Sequence, residues 1–256
     1  MNEDSGLFLI RPAVFSGIAG LTALQTTRRG GASTPPYDSL NLGARTPDNE
    51  VHIRENFQRL YRRLQLTPGS IVCSEQVHGT KVCLVTQQGN VSGYDALITD
   101  RPGIHLGIVT ADCYPILIHD PRHRASAAIH AGWQGTAGHI AEKTMEAMAV
   151  AFGTAPEECI AWVGSGISAR HYETGCDVAA HFDEKHLSPS PAQIGKVQLD
   201  LSLANCDQLL AAGIPPSQLE CSSYCSWRDH ELFFSYRRDQ GVTGRMLSLI
   251  GITSAD

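Results

Sequence analysis

No apolar run in this chain of 256 residues approaches the roughly twenty residues needed to cross a bilayer, which argues against a helical membrane span. Basic charge is in deficit, since 20 Lys and Arg against 26 Asp and Glu leave a net charge of −6. A nucleic-acid surface concentrates basic residues on one face. Here the arginines are scattered, with Arg59, Arg62 and Arg63 on what reads as a solvated helix face, so no nucleic-acid partner is expected. Cysteine numbers only 8, too sparse for a disulfide scaffold, and free thiols are expected in a reducing cytoplasm. A secretory signal is not visible either: Glu3 and Asp4 stand where lysines would, and Arg11 and Pro12 interrupt the following apolar stretch. A cytoplasmic protein is the expectation. There is no phosphate loop, no dinucleotide-binding glycine fingerprint and no His-x-His pair. The last absence excludes an ordinary multicopper oxidase, which needs several imidazoles around a trinuclear centre.

What is present is ordinary globular composition, 42% hydrophobic and 18% charged, enough for one generous domain spanning 1–256 with no linker in its middle. A long loop runs from Thr27-Arg28-Arg29-Gly30-Gly31 to Pro35-Pro36 and Asn41, and Arg28 beside paired glycines offers a cradle for an anion. Asp48 then reads as the cap of a helix with Ile53, Phe57, Leu60, Tyr61 and Leu64 on one face, stopped by Pro68-Gly69. Strands are expected at 70–77, 81–86, 94–99, 104–110, 116–119, 125–129 and 159–163. A helix is expected from the 132–138 turn to Phe152, with others at 175–186 and 200–212, the last burying Leu203, Cys206, Leu209 and Leu210. Strands and helices mix without regular alternation, so the class is α+β with mixed sheets flanked by helices.

The chemistry lies at three strand ends. Thr110-Ala111-Asp112-Cys113 interrupts an apolar run, His130 precedes Ala131-Gly132-Trp133, and His78 precedes Gly79. A thiolate and two imidazoles beside tight-turning residues are a known zinc set that leaves a fourth position for water. Such an ion lowers the pKa of bound water towards about 7 and makes a hydrolytic or deaminating attack feasible. Asp112 or Glu75 is placed to orient an imidazole or carry a proton. The same residues admit a metal-free reading, with Cys113 a nucleophile whose thiolate His130 stabilises. They also admit a bland one, a core cysteine and two histidines bonded to backbone carbonyls. Of the remaining histidines, His119, His123 and His139 read as structural or solvent-facing, and His171 lies in a loop able to approach the pocket.

Thr27-Arg28-x-Gly30-Gly31, Ser39-Leu40-Asn41-Leu42-Gly43, Glu75-Gln76-Val77-His78-Gly79, Thr110-Ala111-Asp112-Cys113, His130-Ala131-Gly132-Trp133 and Phe234-Ser235-Tyr236-Arg237-Arg238-Asp239 occur in that order. From about Gly17 to Ile252 the chain resembles the YfiH family, also labelled laccase-domain or polyphenol oxidase proteins. The resemblance implies a fold akin to the catalytic domain of cytotoxic necrotizing factor, with zinc, or copper, on His78, Cys113 and His130. It implies phosphorolysis of adenosine, inosine and methylthioadenosine, and deamination of adenosine, with purine nucleoside and phosphate as small-molecule partners of a monomer or small homo-oligomer. Cys113, His78, His130 and Asp112 are then the catalytic candidates, and Arg28, Asn41 and Arg237 the substrate contacts. Thiol-dependent editing of peptidoglycan precursors, copper-dependent polyphenol oxidation and metal sequestration without turnover are the alternatives. Two departures stand out: Gln134 replaces the family's usual arginine, and Gly164-Ser165-Gly166-Ile167-Ser168-Ala169 replaces its usual Gly-Pro-rich loop. Loss of charge at 134 weakens phosphate binding if that side chain faces the pocket.

Overall fold

The computed structural model describes residues 6–191 and 193–253; Glu3 and Asp4, on which the expectation of no export signal partly rested, lie outside them. The chain runs β1 (Leu9–Ile10), β2 (Leu21–Thr26), α1 (Glu50–Leu64), β3 (Ile71–Glu75), β4 (Val82–Leu84), β5 (Val91–Ser92), β6 (Ala96–Thr99) and β7 (His105–Thr110). It continues through β8 (Tyr114–Asp120), β9 (Ala125–Ala131), α2 (Trp133–Ala137), α3 (Ile140–Phe152), β10 (Ile160–Val163), β11 (Glu173–Thr174) and α4 (Cys176–Ala179). It closes with β12 (Leu187–Pro189), β13 (Val197–Leu199), α5 (Leu201–Ala211), β14 (Leu219–Cys221) and β15 (Met246–Ile252). Two six-stranded sheets result, ordered β1-β2-β15-β7-β3-β5 and β14-β10-β8-β9-β6-β4, with a small β11-β13-β12 sheet beside them. Both large sheets are mixed. β3 lies parallel to β7 and β5, β4 parallel to β6, and β10 parallel to β14, while the β2-β15-β7 and β10-β8-β9-β6 ladders are antiparallel.

Period-two alternation sorts the strand residues into three layers of core. Leu97, Leu117, Ala128 and Trp162 from the second sheet meet Val72, Leu106, Ile108 and Ile250 from the first. Their neighbours Ile98, Ile116, Ile118 and Ile129 face the other way, onto Ile140, Met145 and Met148 of α3 and Leu209 of α5. On the outer face of the first sheet, Leu24, Ile71, Leu247 and Leu249 pack against Leu60, Phe57 and Tyr61 of α1. The order of layers is therefore helix, sheet, sheet, helix. Because β8 and β9 are covered on both faces, they read as near-continuous apolar runs. Each fully buried Leu or Ile contributes roughly 1.5–3 kcal/mol.

Several local expectations are revised. The α1 cap is Asn49, whose side chain accepts from the Val51 amide at 2.8 Å, while Asp48 braces the preceding loop by accepting from Asn41 Nδ2 at 2.9 Å. The 132–152 helix breaks in two because His139 takes a left-handed φ of 59°. Helix 175–186 shortens to α4, since the chain must turn for His186 Nε2 to meet Asp207 Oδ2 at 2.8 Å and for Leu187–Pro189 to join β13. In α5 the buried stripe is Leu201, Asn205 and Leu209, and Leu203 and Leu210 face outward. A buried Asn hides this stripe from an apolar count. Cys206 of α5 and Cys221 of β14, expected as separate thiols, stand with their sulfurs facing each other. Cys225 is buried and accepts from Ser168 Oγ at 3.1 Å.

Candidate metal centre and its pocket

The site is built where strands of both sheets end. After β3, the Gln76 side chain imitates a ladder residue: its Nε2 donates to Val109 O and its Oε1 accepts from Val109 N, each at 2.9 Å. This holds the next turn against β7. That turn puts His78 at φ 60°, a left-handed conformation costing about 1–2 kcal/mol for a non-glycine residue. One buried carboxylate stabilises it. Asp95 accepts from the amides of Val77 at 3.2 Å, His78 at 2.9 Å and Gly79 at 2.7 Å. The same carboxylate bonds His130 Nδ1 at 2.8 Å, and the Asp95 carbonyl accepts from the His130 amide at 2.7 Å. Asp95 thus aims both imidazoles. With Nδ1 of His130 committed, its Nε2 is left for a ligand.

Cys113 occupies the corner between β7 and β8. Its neighbour Asp112 has φ 95° and is held by three bonds: its carboxylate accepts from Ser226 Oγ and the Arg237 amide, each at 2.6 Å, and its carbonyl accepts from Ile167 N at 2.9 Å. The ligand atoms of His78, Cys113 and His130 lie within 4.8 Å of one another, and the two rings meet edge-on with centroids 4.7 Å apart. Gly132 permits this closeness, because a Cβ there would stand 3.0 Å from Cys113 Sγ and 3.3 Å from His78 Cδ2.

Burial pushes the Cys113 thiol up, but the charge of His130 and hydrogen bonds from His130 and His78 outweigh it and bring the thiol down to about 6. Burial likewise opposes protonation of His130, and the Cys113 sulfur and Asp95 overcome it, raising the imidazole to about 9. Burial also opposes ionisation of Asp95, yet the bonds from His130 and the backbone amides hold its carboxyl below the usual range. The three residues favour a thiolate facing cationic or metal charge. Two imidazoles and a thiolate that converge, with the second nitrogen of His130 already bonded to Asp95, fit a zinc-type ion.

The centre opens into a pocket of about 1080 Å³, large enough for a small-molecule ligand. Trp133, Tyr172 and Tyr236 supply aromatic walls, and Arg45, Arg237 and Arg245 supply cations. Arg237 Nη1 donates to Glu173 O at 2.9 Å, and its guanidinium lies 5.1 Å from the Tyr172 ring centroid.

The structure separates the other sequence-expected residues. Arg28 is outside the pocket lining, locked by Asp38 through a 3.2 Å ion pair and a 2.7 Å bond from Nε to the Asp38 carbonyl. The loop it belongs to is braced by Asn56 of α1, which bonds Ser33, Ser39, Asn41 and Ala32. Asn41 is fully buried, its amide engaged with Thr46, Asp48, Gly43 and Arg245. Neither Asp112 nor Glu75 bonds an imidazole; Glu75 pairs with Arg45 and Ser92. Gln134 is exposed and outside the lining, so the missing arginine removes no charge from the pocket. His171 stacks on Trp227 with centroids 4.0 Å apart, and its neighbour Tyr172 lines the pocket instead. His119, read as structural or solvent-facing, is buried at the end of β8 with Nδ1 3.2 Å from Ser126 Oγ. Asp95 and Arg245 carried no role in the sequence reading.

Fold and site together define a two-sheet α+β protein with a Cys-His-His cluster lining a large pocket. The family model described as "Multi-copper polyphenol oxidoreductase laccase" matches residues 22–253, and the chain belongs to that family, which includes the YfiH and YlmD proteins. It is 43% identical over 228 residues to a purine nucleoside phosphorylase of Deinococcus radiodurans, covering 89% of this chain and 87% of that one. It is 39% identical over 235 residues to the purine nucleoside phosphorylase YfiH of Escherichia coli, covering 90% and 93%. Among solved structures, YlmD of Geobacillus stearothermophilus superposes with a TM-score of 0.90 at 34% identity, covering 99% of this chain and 98% of that one. YfiH of Bacillus licheniformis does so with 0.90 at 31%, covering 98% of each.

Proposed function

We propose that this chain is a zinc-dependent purine nucleoside enzyme that phosphorolyses adenosine, inosine and methylthioadenosine and also deaminates adenosine. The observation that carries the reading is the convergence of His78, Cys113 and His130 on the lining of a pocket that also presents aromatic rings and guanidinium groups. The curated relatives named purine nucleoside phosphorylase support the substrate class. His78, Cys113 and His130 would hold the ion, which when bound supplies Lewis acidity in the pocket. Trp133, Tyr172 and Tyr236 offer flat faces to a purine, and Arg237 offers charge to an anion. In phosphorolysis a phosphate oxygen bonds ribose C1′ as the C1′–N9 bond breaks and the electron pair leaves with the base. The oxygens of Asp112 are already committed to Ser226 and the Arg237 amide, so its part is to hold the Cys113 corner in place.

The reading treats residues 1–256 as one functional domain in the cytoplasm, where the Cys113 thiol stays reduced. Polyphenol oxidation is not carried over. Among the described residues only one cluster of three His, Cys, Asp or Glu side chains could hold a metal, short of a trinuclear copper set. The depressed Cys113 thiol favours one rival, a metal-free thiolate nucleophile. Incubation with adenosine and phosphate should yield adenine, ribose 1-phosphate and inosine, and Cys113→Ala should abolish all three. Undiminished turnover by that variant ends the proposal. Activity that survives exhaustive chelation yet is blocked by thiol alkylation transfers the chemistry to the rival.

A further inference from the structure

The half-buried arginines of this protein are matched by carboxylates. Arg28 lies 3.2 Å from Asp38, and Arg238 Nε lies 2.8 Å from Asp239. Arg245 is the exception on the pocket wall. It is half-buried, and no carboxylate among the described residues forms an ion pair with it. Its Nη1 donates to the carbonyls of Thr243 at 2.7 Å and Gly244 at 2.9 Å, its guanidinium lies 5.7 Å from the Tyr236 ring centroid, and among the described residues Nε and Nη2 have no hydrogen-bond partner. Desolvation disfavours its charge, against support from Tyr236, Cys113, Asp112 and Tyr37.

The side chain is held from behind. Asn41 Oδ1 accepts from the Arg245 amide at 2.9 Å and from the Gly43 amide at 3.0 Å, pinning two segments that are distant in sequence. Gly43 must be a glycine here, because a Cβ would lie 2.7 Å from Arg245 Cγ. A guanidinium with one edge bonded to its own backbone and the other edge free, in a pocket shared with the metal-type triad, is built to receive an oxyanion through two parallel N–H donors.

We propose that the free edge of Arg245 is the phosphate subsite of the pocket, taking inorganic phosphate as co-substrate, with Asn41 the positioning residue that sets its reach. The phosphorylase reading enters only in naming the anion.

The test is calorimetric titration of the purified full-length chain with inorganic phosphate, for wild type, Arg245→Gln and Arg245→Lys, with zinc content and melting temperature as controls of folding. Arg245→Gln should weaken phosphate binding about 10- to 100-fold, the value of hydrogen bonds to a charged group. Arg245→Lys, which keeps the charge and loses the fork, should fall between. In turnover, KM for phosphate should rise while KM for the nucleoside holds, and Asn41→Ala should show the same split in weaker form. Phosphate binding by Arg245→Gln as tight as wild type overturns the subsite. So does a wild type that binds adenosine 5′-monophosphate through Arg245 and ignores free phosphate, because the anion would then belong to the nucleotide. Arg245-dependent phosphate binding without any phosphorolysis leaves the subsite standing and removes the phosphorylase reading. Phosphorolysis with an unchanged phosphate KM in Arg245→Gln does the reverse.

Discussion

Replacing Asp95 by asparagine tests whether one carboxylate assembles the centre. Asp95 is wholly buried and receives four donors, from the amides of Val77, His78 and Gly79 and from His130 Nδ1, three of them at 2.9 Å or less. The substitution preserves shape but removes the charge and turns an NH2 group towards one set of donors. Two of the amide bonds use Oδ2 and the other amide shares Oδ1 with the imidazole, so whichever way the new amide flips, at least two N–H groups lose an acceptor. Each bond to a charged acceptor contributes about 1.5–3 kcal/mol, and a lost outer partner of a metal-bound imidazole typically costs 10–100-fold in metal affinity. Zinc affinity of Asp95→Asn, measured by competition with a chromogenic chelator, should therefore fall at least tenfold. The His78 turn, which needs those bonds to keep its left-handed φ, should show faster amide exchange at residues 77–79. A variant that binds zinc as wild type does, with unchanged exchange at that turn, would refute the claim that Asp95 organises the centre.

Gly132→Ala should reduce bound metal, since its Cβ would press on Cys113 Sγ at 3.0 Å and His78 Cδ2 at 3.3 Å, while the metal-stripped variant should melt within a few degrees of metal-stripped wild type; elemental analysis reads the outcome, and full occupancy contradicts it. His105 is buried with neither ring nitrogen bonded, and desolvation lowers it from 6.5 to about 4. Its folded-state pKa lies below the unfolded one, so the unfolded chain takes up the proton first and folding stability is lost as pH falls from about 6.5 to about 4. The loss approaches about 3 kcal/mol. Urea unfolding at several pH values should show this slope in wild type and a shallower one in His105→Gln; identical slopes contradict it.

Much of the site could be read from the chain because its ligands sit beside residues whose only use is tight turning, as in His78-Gly79 and His130-Ala131-Gly132. The layered core was readable too, since β8 and β9 are apolar on both faces. Asp95 was not, because its partners lie 17 and 35 positions away and no local pattern announces a carboxylate that serves backbone amides. Arg28 and Asn41 pose a different difficulty. A polar side chain in a glycine-rich loop is as useful for closing that loop as for meeting a ligand, and the hydrogen-bond partners alone decide. The shortened helix at 176–179 and the rotated face of α5 share one cause: long-range bonds, His186 to Asp207 and Asn205 to Thr136, overrode local periodicity.

The three ligands do not come from one sheet. His78 stands on the crossing from β3 to β4, Cys113 on the crossing from β7 to β8, and His130 at the end of β9, so an ion held by all three rivets the seam along which the two sheets part. Its binding free energy is then also cohesion between the halves of the molecule. On the proposed function, a change at these positions would alter turnover and mechanical integrity together.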